Sequence, residues 1–474
     1  MHKIAGQTLD SRMIWVFVVI CALTLAAGML FAKASTPVIF AFAIGLIVAI
    51  ISFVSTEMAL YILIVAMLLG PQITVGPADA FIARGRGGMT LRFDDFLIVV
   101  IGLSWFFRTA MDKELGLFLS TPLSRPIAWY FLACLVATLF GYWFERVASV
   151  TGILFVLKYF EYFFIYFMAV NHLKHKRQIE RFIAVLLLVC FVVCLVAIYQ
   201  IPAGGRASAP FEGPHGEPNT LGGYLVLMLS IVLGLLLKYG SAAKKAALGM
   251  LALFILIALA ATLSRTSWLA LLPMMLTLVY FSSRKMIIIL LLFLIIASPL
   301  LVSQSVRDRA LYTVNQPPEA GQLVIGGTRI DTSTSARLSS YWIVLTKDFI
   351  EHPLLGYGVT GHSFVDAQYP KVLADTGIVG FITFVYLLYS LCKHARSTYR
   401  SARDPLFSGL ALGYLAGFAA MLTHAIGANT FIIVRIMEPF WFVTAMVIMI
   451  PAIEERERQK QIGIKVENLA RHRL

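Results

Sequence analysis

The sequence predicts an all-α polytopic membrane protein, and three observations carry that prediction. Of the 474 residues, 59% are hydrophobic and only 14% charged, whereas soluble domains carry about 45–50% and about 25%; the mean hydropathy is +0.84. Apolar runs near the span length of about 20 residues recur along most of the chain. Lys and Arg, which give a net charge of +14, fall in short clusters between those runs. That placement marks loops on the cytoplasmic face and argues against a nucleic-acid surface. The composition leaves too little polar surface to coat soluble domains, and too much apolar surface for a disordered chain.

Fourteen spans are predicted: 14–31, 37–54, 57–71, 94–108, 125–141, 150–170, 182–201, 219–237, 246–263, 266–281, 286–302, 377–392, 405–425 and 436–453. The third and fourth are short enough to be re-entrant. The first run imitates a signal peptide, with Lys3 and Arg12 before it and Ala32-Lys33-Ala34 after it. Its apolar part is longer than the usual 7–15 residues, and a second span follows directly, so it reads as a retained helix. With the N-terminus inside, inner loops hold 24 Lys and Arg and short outer loops hold eight, which puts both termini in the cytoplasm. Arg84, Arg86 and Arg92 dissent locally. Cys21, Cys134, Cys190, Cys194 and Cys392 all lie in apolar runs, with neither disulfide nor zinc spacing.

The predicted organisation is therefore spans with short loops over 1–301, one long outer loop over 302–376, further spans over 377–453, and a basic tail over 454–474 suited to anionic lipid. No internal repeat of the inverted-transporter kind is apparent. Within the long loop, Leu338, Tyr341, Trp342, Leu345 and Phe349 recur at helical spacing. They predict an amphipathic helix on the outer surface of the bundle, capped from Ser333 to Ser335 and stopped at His352-Pro353.

Several polar residues need a reason. Arg265 stands between two apolar helices with almost no loop. An arginine there either snorkels or presents its planar fork to an anion such as a phosphate. Arg206 and Arg337 belong to the same outer face. Glu217 and Asn219 begin a helix, as caps or as the rim of an anion site at its N-terminus. Glu212, His215 and Glu217 match no standard metal spacing. Asp366 and Asp375 are outer carboxylates beside a span, either solvated helix ends or a general base. His362, four residues before Asp366, would share its face on a helix. Lys158 with Glu161, and Arg435 with Glu438, have the spacing of intrahelical pairs. His424 reads as a core or interface residue.

Three segments together resemble the superfamily of bacterial O-antigen ligases and Wzy-type O-antigen or exopolysaccharide polymerases. They are the loop from Arg206 through Phe211 and Pro218-Asn219 into Leu221-Gly222-Gly223-Tyr224, the Ser264-Arg265 step, and Arg337 with Tyr341-Trp342 followed by His352-Pro353-Leu354-Leu355-Gly356-Tyr357-Gly358 and Ala374-Asp375-Thr376-Gly377-Ile378-Val379-Gly380. The resemblance covers about residues 200–390. It implies a GT-C-like helical fold and a metal-independent, inverting glycosyl transfer at the outer face of the inner membrane, without a cofactor. The donor would be a glycan on undecaprenyl diphosphate. Arg206 and Arg265 match the arginines that bind the diphosphate, with Arg337 as a third.

In the ligases a histidine precedes the end of the loop. The corresponding residue here is Asp366, and Asp375 stands where glutamate is common. That departure favours a polymerase, with a ligase acting on lipid A core or protein as the alternative and a transporter or flippase as the second. The base is Asp366 or His362; His215, Glu217 and Tyr369 are expected to support the acceptor or the loop. A flippase, a chain-length regulator and membrane lipids are the implied partners.

Overall fold

The computed structural model describes residues 46–70, 72–74, 90–111, 120–147, 150–203, 205–210, 216–282, 311–312, 316–363 and 365–471. The predicted spans 14–31 and 286–302 lie outside these residues, and 37–54 is described only from residue 46. The other eleven each coincide with a helix. In order these are α1 (46–54), α2 (Thr56–Leu69), α3 (Phe93–Met111), α4 (Ser124–Trp143), α5 (Val150–His172), α6 (Lys176–Tyr199), α7 (Pro218–Lys238), α8 (Ala242–Ala261), α9 (Arg265–Phe281), α10 (Thr332–Ile343), α11 (Gln368–Ser401), α12 (Pro405–His424) and α13 (Val434–Arg471). Eight of the described helices are long and apolar enough to cross a membrane; α2 and α9 are shorter apolar helices. The protein is an all-α polytopic membrane protein, as its composition predicts.

The centre of the bundle is α7, α12 and α13, whose apolar stretches are 89%, 83% and 83% buried, against 28% for the peripheral α8. Small residues let α7 and α12 come together. Gly409, Gly413 and Gly417 stand four apart on one face of α12, and a Cβ on Gly234 of α7 would lie 2.4 Å from the Gly409 carbonyl oxygen. Close backbone approach of this kind drives packing where lipid supplies no hydrophobic contrast. An aromatic layer of Tyr162, Phe163, Tyr166, Phe440 and Trp441 packs mainly edge-to-face beside it. Two of the buried phenols are paired: Tyr162 donates to the Phe431 carbonyl at 3.2 Å and Tyr414 pairs with Thr444 at 2.9 Å.

The intrahelical charge pairs expected from spacing give way to a network across helices. Lys158 of α5 reaches Asp95 of α3 at 2.9 Å, and Arg435 of α13 donates to the carbonyls of Leu68 and Gly70 at 2.7 and 3.3 Å. Arg92, which ends a short antiparallel ladder between Gln72–Thr74 and Thr90–Arg92, lies 2.7 Å from Asp94 and 3.5 Å from Glu438. Neighbouring helices offer charges and carbonyls that no single helix contains.

The described part of the long loop is built, not loose. Val324–Ile325 and Thr328–Arg329 pair across Gly326-Gly327, both at positive φ, as a tight primed turn needs. The amphipathic helix follows where it is expected, but its cap is Asp331, whose side chain accepts from the N–H groups of Ser333 and Thr334. It continues through one wide turn, Val344–Asp348, and ends at Glu351, just before His352-Pro353. Its surface position is fixed by the Tyr341 hydroxyl, which donates to the Ile426 carbonyl at 3.1 Å.

The loop then wraps a break in α11. Gly377 has φ 61° and ψ −162°, a conformation open essentially to glycine alone. Backbone groups on both sides of the break find partners in the wrapping segment. The Ala374 and Asp375 carbonyls accept from Tyr357 and Gly358, and the N–H groups of Ile378 and Val379 donate to Pro353 and Leu354.

Candidate functional site

Two tight connections bring the expected residues to one end of the bundle. Between α8 and α9 the chain turns in three residues, with Leu263 in the left-handed region at φ 49°. Ser264 caps α9 by accepting from the Ser267 N–H, so Arg265 is the first residue of the new helix. After α6, the Gln200 side chain both donates to and accepts from the Ser208 backbone, at 3.1 and 2.9 Å. This pins the loop so that Arg206 lies over the α8 terminus, donating to the Thr262 and Leu263 carbonyls at 3.1 and 3.4 Å. Those carbonyls are left unpaired by the end of a helix and carry its negative dipole end.

Arg265 meets a carboxylate. Its two terminal nitrogens grip Asp331 at 3.0 and 2.8 Å, and Ser333 adds a bond at 2.8 Å. The fork that sequence reasoning assigned to a phosphate is thus bidentate with the cap of α10. The pair holds the Asp331 carboxyl well below the ordinary carboxylate range, together with the bonds from Ser333 and Thr334 and against the opposing effect of burial.

Two turns along α10, Arg337 donates to Asp366 at 3.1 and 3.3 Å. Arg337 and Thr266, the residue after Arg265, approach the same glycine: a Cβ on Gly427 would lie 3.0 Å from Thr266 Oγ1 and 3.7 Å from Arg337 Cδ. Partial burial pushes the Asp366 carboxyl up, with Arg337 pulling the other way. Glu217 begins α7 without capping it. Its carboxyl is also pushed up, first by burial and then by the charge of Asp366, with Arg206 and Arg337 opposing. Arg206, Glu217, Arg337 and Asp366 therefore share one electrostatic neighbourhood, assembled from two loops distant in sequence.

Beneath it runs a buried chain of hydrogen bonds that the sequence did not reveal. Ser264 donates to Asn219 at 2.8 Å and contacts Ser267 at 2.8 Å; Ser267 contacts His424 Nε2 at 3.1 Å, and His424 Nδ1 contacts Thr430 at 2.8 Å. This chain ties the start of α7, the start of α9 and the end of α12 directly under the arginines. It gives His424 the core role expected of it.

The other expected residues are placed differently. His362 is 2.8 Å from Asp348 and packs edge-on to Tyr357. Residues 361–363 and 365–367 are not helical and α11 begins at Gln368, so His362 and Asp366 share no helix face. Tyr369 donates to the Leu422 carbonyl at 2.7 Å and braces α11 against α12. Asp375 pairs with Lys371 at 2.8 Å inside α11. His215, with Phe211 and Glu212, lies outside the described residues.

Among the described residues, Asp94, Glu161 and Glu438 place one carboxylate oxygen each within 4.8 Å of one another, the arrangement best suited to a metal ion. Arg92 already supplies a cation there, and the trio belongs to the charge network inside the bundle. The described residues around Asp366 include no comparable cluster of ligands.

Residues 250–385 match the family model described as O-antigen ligase. This segment belongs to the O-antigen ligase/Wzy superfamily. Curated proteins yield no match to the chain. The O-antigen ligase segment contains Arg265, Asp331, Arg337, His362, Asp366 and the break at Gly377, while Arg206 and Glu217 come to it from outside the matched residues. Asp331 was missed in sequence reasoning although it carried a signal: an aspartate directly before Thr332-Ser333-Thr334-Ser335 is itself as good an N-cap as the serines.

Proposed function

We propose that this protein transfers a glycan from an undecaprenyl diphosphate onto a lipid-linked repeat unit at the outer face of a bacterial inner membrane, as a polysaccharide polymerase. The observation that carries the reading is the meeting of Arg337 and Asp366 beside Arg206 and Glu217, in and next to a segment of the O-antigen ligase superfamily. In the proposed step the acceptor hydroxyl gives its proton to Asp366 as its oxygen bonds to the anomeric carbon. The bond from that carbon to the diphosphate oxygen breaks on the opposite side, which inverts the centre. The departing diphosphate gains negative charge, and fixed guanidinium groups stabilise it more than they stabilise the donor.

Arg206 and Arg337 are the arginines assigned to that charge. Arg265 takes a positioning role, since through Asp331 it fixes the helix that carries Arg337. Asp366 is favoured over His362 as base because its carboxylate is 42% exposed beside Arg337, whereas His362 is largely buried against Asp348. The chemistry so described needs no metal or cofactor. A flippase supplying the repeat unit and a chain-length regulator are the proposed partners.

A ligase is the second reading, favoured by the description of the matching family. Both are tested by supplying the purified protein with lipid-linked repeat units from its own host and sizing the products. A ladder of lengthening glycans supports the polymerase. A single transfer that appears only when lipid A core is added supports the ligase, and the absence of transfer to either acceptor overturns the proposal.

A further inference from the structure

At the opposite end of α11 a second site stands apart from everything above. Lys393, Arg396 and Arg400 follow one another at spacings of three and four, so they stack along one helix face. With Tyr389, Cys392, Ser397 and Ser401 they line a cavity of about 520 Å³, in the range of small-ligand sites. Like charges at these spacings repel, so the arrangement calls for a compensating anion.

Among the described residues, the carboxylates at this end are engaged elsewhere. Asp404 and Glu180 face Lys176, Glu454 accepts from the Arg403 and Asp404 N–H groups, Glu455 pairs with Arg458, and Glu457 accepts from Lys176 N–H. Lys238, which lies over the Tyr399 ring at 5.2 Å, adds a further cation to the same end.

The same face continues toward the middle of the helix as Tyr389, Tyr386, Val385 and Ile382, all exposed. It therefore reads, along one line, as apolar side chains, then two tyrosines, then three cations and two hydroxyls. That order matches a phospholipid lying against a spanning helix, with its tails beside the apolar residues, the tyrosines at the interface and the phosphate among the cations.

We propose that this end of α11 binds the anionic headgroup of a phospholipid, held by Lys393, Arg396 and Arg400. The apolar continuation selects a lipid over a soluble anion of the same charge. The site is independent of the glycan chemistry at the other end of the bundle.

The test is native mass spectrometry of the full-length protein in neutral detergent, titrated with phosphatidylglycerol or with phosphatidylcholine of the same chains. The wild type should retain one phosphatidylglycerol more firmly than any phosphatidylcholine. Lys393→Gln with Arg396→Gln and Arg400→Gln should weaken that binding on the order of a hundredfold, at about 1 kcal/mol per cation. Arg396→Gln alone, an exposed change that spares the fold, should weaken it roughly fivefold. Arg456→Gln with Arg458→Gln and Lys460→Gln removes equal charge from the tail and should leave it unchanged. Equal retention of both lipids, equal loss in the tail variant, or displacement of the lipid by millimolar inorganic phosphate would each overturn the proposal.

Discussion

Arg265 and Arg337 look alike in the sequence, and the structure gives them different work. Arg265 closes a fork on Asp331, a residue 1% exposed, whereas Arg337 touches Asp366, whose carboxylate is 42% exposed and open to an incoming group. Asp331→Asn keeps a good helix cap but loses the charge pair, so transfer should fall about as far as in Arg265→Lys; Asp331→Ala should also cost about 1 kcal/mol of stability. Arg265→Lys keeps the charge and loses the bidentate grip, so transfer should fall about tenfold or more with protein abundance unchanged. Full activity in that variant would remove Arg265 from the account. Asp366 also makes a claim about pH. Its carboxyl is raised by burial and drawn down by Arg337, and in the proposed role as base it must be ionised to act. Activity should therefore rise with pH through a limb above the ordinary aspartate value of about 3.9. In Arg337→Gln the lowering charge is gone, so the limb of kcat should move to higher pH. A limb that stays in place would separate the base from Arg337.

Among the elements, the long loop was legible in outline and its attachment was not. The periodicity of Leu338 to Phe349 and the stop at His352-Pro353 gave α10 nearly to the residue. The break at Gly377 was marked by the glycine itself. What escaped is long-range: which carbonyl Tyr341 reaches, that residues 353–358 wrap the break, and that His362 turns to Asp348. Such pairings depend on where distant segments pack, which no local pattern encodes. Gly377→Ala tests the wrapped break. A Cβ there would lie 2.4 Å from the Leu354 backbone in a conformation already costing about 1–3 kcal/mol. The expected result is a clear loss of thermal stability in detergent; a wild-type melting curve would show that the break can be remodelled. The anchor of α10 has its own pH dependence. Asp331 is depressed on folding, so its pairing stabilises the fold fully above the unfolded value of about 3.9. It is lost only as pH falls through the lower folded value. Amide exchange over 331–343 should stay protected at pH 5 and open under stronger acid.

For the whole molecule, composition settled the class of protein, and the apolar runs located the helices. Fourteen runs could not say which helices are central, because all are apolar on every side. The glycines of α12 carried that information in their spacing of four, and the charges of the bundle carried it in their burial. Pairing those charges from sequence failed for a physical reason: a cation inside a bundle seeks the best partner in space, and helix neighbours only four residues away are one choice among several. Arg92, which the sequence reading left unpaired, is 3% exposed between Asp94 and Glu438. Arg92→Leu should destabilise the bundle by about 3–5 kcal/mol, because two buried carboxylates lose their counter-charge. Unchanged stability would mean that the carboxylates are neutralised in another way.

The central claim is that Asp366 takes the acceptor proton while the arginines hold the diphosphate. The most direct measurement is release of free undecaprenyl diphosphate by purified wild type and Asp366→Asn, alongside binding of the donor lipid. The wild type should release it steadily and the variant not above background, with donor binding within about threefold between them, since the lost interaction acts only in the transition state. Release by the variant at the wild-type rate, or loss of release in His362→Ala instead, would contradict it.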